Sequence, residues 1–155
     1  MVTRIADGIG KGVLAGVAGT AAMTASSTLE AKLRGRPFST APAKAAARAL
    51  GIETFDDGEA YARFSNVVHW GYGTGWGVAR GLLRAIGVGP RLATGAHFAA
   101  LWGSALYSLP KHEVAPPVTE WAAEDVAVDV FHHLVYVGAA AVAFELLDRS
   151  EAEAR

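Results

Sequence analysis

Residues 126–147 read VAVDVFHHLVYVGAAAVAFELL, and the reading of this stretch decides the fold. It is apolar throughout except for Asp129, the adjacent pair His132 and His133, and Glu145. A helix on the surface of a soluble bundle carries a polar face recurring every ~3.6 residues, and this stretch has none. Roughly 20 apolar residues are what a helix needs to cross the hydrocarbon core of a bilayer. A membrane-spanning helix is therefore expected from about 124 to 147, with Glu124 and Asp125 in its first turn, where carboxylates favour a helix N-terminus.

Upstream, three more apolar blocks separate from the charged residues in the same way. One runs over 92–109 and is expected to stop at Pro110. Another runs over 64–86, joined to it by the tight link GVGPR at 87–91, so the two should form an antiparallel hairpin. The first runs over 12–29. A signal peptide is the rival reading of this block, but Asp7, the glycine-rich core and the poor cleavage site argue against it. Between the first two blocks lies a polar loop, 30–63, with a short helix over about 42–50 introduced by Thr40 and Pro42. The expected fold class is all-α: one membrane domain spanning 1–155, with four transmembrane helices in an antiparallel bundle.

Composition agrees with that expectation. Hydrophobic residues make up 52% and charged residues 19%, against about 25% charged in ordinary soluble domains. A net charge of −1 provides no basic field, so nucleic acid is not an expected partner. The absence of cysteine removes disulfides, thiol catalysis and thiolate metal sites. Orientation stays open, because seven Lys and Arg residues fall on each side of a four-span topology. Arg80 and Arg84 are expected to snorkel to one surface, and the tail from Asp148 onward to fray.

Small residues recur at helical spacing. Gly12, Gly16, Thr20 and Thr24 draw a stripe down the first block, and Gly73, Gly77 and Gly81 draw another down the second. Such stripes let helices approach closely, and Thr hydroxyls can bond back to their own carbonyls. So much small-residue surface points to a partner besides the lipid bilayer, either a homo-oligomer or another membrane protein.

Ionisable groups at membrane depth are costly and call for explanation. Here they are His69, His97, Asp129, His132, His133 and Glu145. Asp129, His132, His133 and Tyr136 share one helical face at spacings i, i+3, i+4 and i+7. Asp129 and Glu145 sit near helix ends, where headgroup solvation is the plain expectation. If His69, His97 and His132 or His133 converge, they suit a proton or ion pathway, a divalent metal or a haem. The plainer reading gives each imidazole one inter-helix hydrogen bond, worth about 0.6 kcal/mol, that fixes register. No metal motif is present, so no metal and no cofactor is expected. The glycine repeats lack a following Lys-Ser/Thr, and the serines lack a base at diagnostic spacing. The expected protein is therefore non-enzymatic.

The landmarks His69, Trp70, Gly71, Tyr72, Gly73 and Gly77, then His112, Glu113, Val114 and Pro116, then His133 and Tyr136, resemble the YagU-like bacterial inner-membrane proteins. The resemblance covers roughly residues 10 to 147. It implies a multi-pass protein of the bacterial inner (cytoplasmic) membrane, and it implies no catalytic residues.

Overall fold

The computed structural model describes residues 1–153, leaving out the side chain of Ala152. Four long helices and one short one carry the chain: α1 (Val2–Leu33), α2 (Ala41–Ala49), α3 (Gly58–Ala85), α4 (Pro90–Lys111) and α5 (Ala123–Glu153). A single 3₁₀ turn, Val118–Glu120, precedes α5, and no strand occurs among the described residues. The protein is all-α as expected, but its helices outrun the apolar blocks. At the start of α3 a side-chain cap, rather than the onset of apolarity, sets the boundary. The side chain of Asp57 caps α3 by accepting from the Ala60 amide at 2.7 Å, six residues before the expected start at 64. Pro110 lies inside the last turn of α4 instead of just beyond its end. The tail is helical through Glu153 rather than frayed, because Lys11 bridges to Asp148 at 2.8 Å and to Glu151 at 2.6 Å.

Helix α1 runs antiparallel to both α3 and α5. Gly8 lies beside Gly81 and Gly12 beside Gly77, while Lys11 reaches Asp148 at one end and Ser26 reaches His132 toward the other. Helix α4 runs antiparallel to α3, with Arg80 reaching Thr94 and Tyr72 reaching Ser104, and antiparallel to α5, with Trp102 reaching Asp129. The start of α1, the α3–α4 link and the last turns of α5 thus share one end of the bundle. Gly87 closes the α3–α4 link at φ +91°, in the left-handed region that glycine occupies without strain. Helix α2 lies across the other end, held to the α4–α5 link by Arg48, which donates to the carbonyls of His112 at 2.7 Å and Glu113 at 3.0 Å.

The tightest seam is between α1 and α3, and glycine makes it possible. A β-carbon on Gly12 would sit 2.6 Å from the Gly77 carbonyl oxygen, and one on Gly16 would sit 2.8 Å from the Thr74 Cα. Both obstacles are backbone, which cannot swing aside. Thr20 and Thr24 donate back to the Gly16 and Thr20 carbonyls, both at 2.7 Å, so their hydroxyls are satisfied within α1. The two sequence stripes therefore meet each other inside the chain. Gly71, Gly75, Gly95, Gly103 and Gly138 face open space instead.

Polar side chains share the interior with an apolar core that includes Ala15, Leu101, Val137, Ala140 and Phe144. Of the five largest fully buried side chains, Arg80, His97 and Tyr136 are polar. Val13, Leu14 and Val17 of α1 and Phe131, Leu134 and Val142 of α5 are exposed. Two helices, α1 and α5, are long and apolar enough to cross a membrane, and only 28% and 33% of their apolar windows are buried. By composition, then, the described helices do not amount to four spans. Arg80, Arg84, His69 and many glycines dilute α3, while His97, Trp102 and small hydroxyl residues dilute α4.

Candidate functional site

At the end covered by α2, the bundle encloses a cavity of about 770 Å³. Helices α1, α3, α4 and α5 form its walls, and the alanines of α2 close one side. Of the residues expected to carry function, His69, Asp129, His132, His133 and Tyr136 line this one cavity, and His97 does not. Thr20, Thr24 and Gly73 line it too, at the edge of the α1–α3 seam.

Hydrogen bonding fixes the state of three imidazoles. Thr24 uses its one hydroxyl hydrogen on the Thr20 carbonyl, so His69 Nε2 donates to Thr24 Oγ1 at 2.7 Å. Ser26 likewise donates to the Met23 carbonyl, so His132 Nδ1 donates to Ser26 Oγ at 2.9 Å. His133 Nδ1 donates to the Asp129 carbonyl at 2.8 Å and lies 3.5 Å from its carboxylate. In each neutral ring the other nitrogen is a bare acceptor. For His132 this is Nε2, buried without a hydrogen-bond partner 3.7 Å from Glu30 Oε2. His69 Nδ1 and His133 Nε2 are not among the buried unpartnered atoms, and both side chains line the cavity.

Asp129 is bound within the bundle while its side chain stays 31% exposed. One carboxylate oxygen accepts from Trp102 Nε1 at 2.8 Å, tying α5 to α4. The mouth of the cavity carries Arg34 and Arg36, each already bound to a carboxylate. Arg34 contacts Glu124 at 2.7 Å and Arg36 grips Glu30. The Glu30 carboxylate holds the Arg36 guanidinium above its ordinary range, against the opposing effect of burial.

Deeper along the axis, Tyr136 donates to the Gly73 carbonyl, so its ring separates the cavity from His97. The His97 ring lies 5.7 Å from the ring of Tyr136 and 6.3 Å from that of Trp76, measured between centroids. His97 is 1% exposed and neither ring nitrogen has a hydrogen-bond partner; the Trp76 backbone is near but lacks bonding geometry. Beyond it lies Arg80, fully buried rather than snorkelling, which donates to Thr94 at 3.0 Å and to Glu145 at 3.3 Å. Glu145 is thus a counter-ion, shared with Arg84 at 3.3 Å. Arg80, Thr94 and Glu145 line a second, shallower cavity of about 570 Å³ at the end opposite α2.

The histidines meet around one space without meeting at one point. Among the described residues, no three His, Asp or Glu side chains are placed to hold a metal ion. Sequence reasoning missed Arg80, although it shares a helical face with Gly73, Gly77 and Gly81, and a face that buries its glycines buries its arginine as well. It also missed α2 as a cavity wall, for which nothing but the alanine content of 41–49 gave a signal.

No family model, no curated protein and no solved structure matches this chain.

Proposed function

We propose that this chain is a multi-pass protein of the bacterial inner membrane, with α1, α3, α4 and α5 as its spans, and that it passes protons along its polar axis. The observation that carries the proposal is His97, buried between two cavities at opposite ends with both ring nitrogens unpartnered. A proton relay needs an imidazole that can accept on one nitrogen and release from the other, and a ring locked by two hydrogen bonds cannot turn over. The exposed apolar side chains of α1 and α5, beside the buried Arg80 and His97, support the membrane setting. Lipid would complete the cover of α3 and α4, whose own apolarity is lower.

Vesicles loaded with a pH-sensitive dye and driven by a potassium diffusion potential test this directly. The wild-type protein should acidify the lumen faster than protein-free vesicles, and His97→Leu should return the rate to the protein-free level. Equal rates for wild type and His97→Leu would remove the proposal.

A second reading, a non-enzymatic accessory subunit of a larger membrane assembly or a homo-oligomer, is favoured by a different observation. Gly71, Gly75, Gly95, Gly103 and Gly138 present small-residue surface on which nothing is packed. In-membrane crosslinking through cysteines placed at Gly75 and Gly103 should yield dimers or a captured partner if that reading holds.

A further inference from the structure

We infer that the groove between α4 and α5, at the end opposite α2, binds an anionic phospholipid, with Arg91 and Arg149 on its phosphate and an acyl chain along Val142 and Leu146. The inference rests on the membrane placement proposed above and not on proton movement.

Arg80 fixes the register of the groove. Its guanidinium reaches out from α3 and donates to Thr94 of α4 at 3.0 Å and to Glu145 of α5 at 3.3 Å, so positions 94 and 145 meet at one side chain. Arg91 precedes Thr94 by three residues and Arg149 follows Glu145 by four, spacings that keep each pair on one helical face. Because α4 and α5 run antiparallel, both steps lead toward the same end of the bundle. Arg91 and Arg149 therefore stand one turn outside Arg80, and all three line the cavity of about 570 Å³.

Charge gives the ligand its sign. Three guanidiniums and one carboxylate line the groove, and that carboxylate, Glu145, is shared with Arg84 as well. Arg91 and Arg149 are exposed and, among the described residues, their guanidiniums take part in no ion pair or hydrogen bond. Arg80 Nε, buried beneath them, is a further donor without a partner. This uncompensated positive charge calls for an anion, and guanidinium forks match phosphate oxygens. The arginines at the α2 end differ, since Arg34 and Arg36 already hold carboxylates.

The flank of the groove selects among anions. From Arg149 the same face of α5 runs back through Leu146 and Val142, both exposed although apolar, and both line the groove. An apolar track that ends in two free arginines matches an acyl chain that ends in a phosphate. Basic pockets between membrane helices favour anionic headgroups, by about fivefold in affinity for each Lys or Arg near the surface.

The test titrates the full-length protein, purified in mild detergent and stripped of lipid, with phosphatidylglycerol, phosphatidylcholine or inorganic phosphate. Native mass spectrometry counts the lipid retained, and thermal unfolding reads the affinity. Phosphatidylglycerol should be retained as a single molecule per chain and raise the melting temperature saturably. Phosphatidylcholine, whose ammonium cancels the phosphate charge, should bind about tenfold more weakly, and inorganic phosphate should have no effect. Arg91→Gln and Arg149→Gln should each weaken phosphatidylglycerol binding about fivefold, and together about thirtyfold, while Arg63→Gln at the other end changes nothing. The comparison of probes on the wild type stands even if a variant folds poorly. Equal retention of the two lipids, or an equal loss for Arg63→Gln, would overturn the site. A matching shift from inorganic phosphate would overturn the lipid assignment and leave a free-anion site. Release of the protein from membranes by alkaline carbonate would remove the membrane placement and this site with it, whereas a protein that stays embedded but retains no phosphatidylglycerol fails here alone. His97→Leu should abolish proton flux and leave phosphatidylglycerol binding intact.

Discussion

Arg80 has the most demanding environment of any side chain in the protein. It is fully buried, and among the described residues Glu145 is the carboxylate that neutralises it directly, while its guanidinium also lies 5.7 Å above the Phe144 ring. Removing one partner of a buried pair strands the other charge, at a cost of about 3–5 kcal/mol. Glu145→Gln is therefore expected to lower stability by about that amount, read as a loss of thermal stability in mild detergent. A loss no larger than that of an exposed control such as Glu59→Gln would show that solvent reaches Arg80. The residue types were legible in the sequence, since each histidine and carboxylate within the apolar blocks stood out from its surroundings. Their pairings were not, because Arg80 and Glu145 lie 65 residues apart and no local rule links them. The shared face of Asp129, His133 and Tyr136 was legible as helical spacing, whereas the exclusion of His97 from the cavity by the Tyr136 ring depends on how α4 and α5 pack.

At the scale of elements, the α1–α3 seam converts a sequence period into an interface. Gly77 has the Gly12 and Gly16 backbone against it, whereas Gly75, two residues away, faces open space. The two should therefore respond to alanine with opposite signs. Gly77→Ala is expected to destabilise by about 1–3 kcal/mol through overpacking. Gly75→Ala should stabilise by up to about 1 kcal/mol, because alanine is the better helix former. Chemical denaturation monitored by helical circular dichroism checks both signs. Loss of stability in both would mean that Gly75 is itself packed, against a second copy or another partner. The stripes were legible as small-residue surfaces, but which surface each would meet was not. The short link 87–91 drew attention to an α3–α4 hairpin, while the closest approach is between α3 and α1, which are separated by the whole of α2 and its flanking loops.

For the molecule as a whole, Lys11 works as a clasp. It gathers Asp7, Asp148 and Glu151 within 2.6–2.9 Å while only 11% exposed, joining the first helix to the last. Lys11→Gln should release the final turns of α5, seen as faster amide exchange over residues 148–153, and lower stability by roughly 1.5–3 kcal/mol. Unchanged exchange there would show that the tail is helical on its own account. Hydropathy conveyed the number of long helices but overstated how apolar two of them are, because α3 and α4 owe their place in the bundle to small residues and inward polar groups rather than to greasiness. The pairing of Arg80 with Glu145 also imposes a schedule. A ribosome delivers the cation 65 residues ahead of its counter-ion, so during synthesis α3 exists for a time with an uncompensated charge. Under the proposed membrane placement, α3 waits beside the insertion machinery until α5 emerges, and a nascent chain that stalls before Ala123 carries a defect that a membrane protease can recognise.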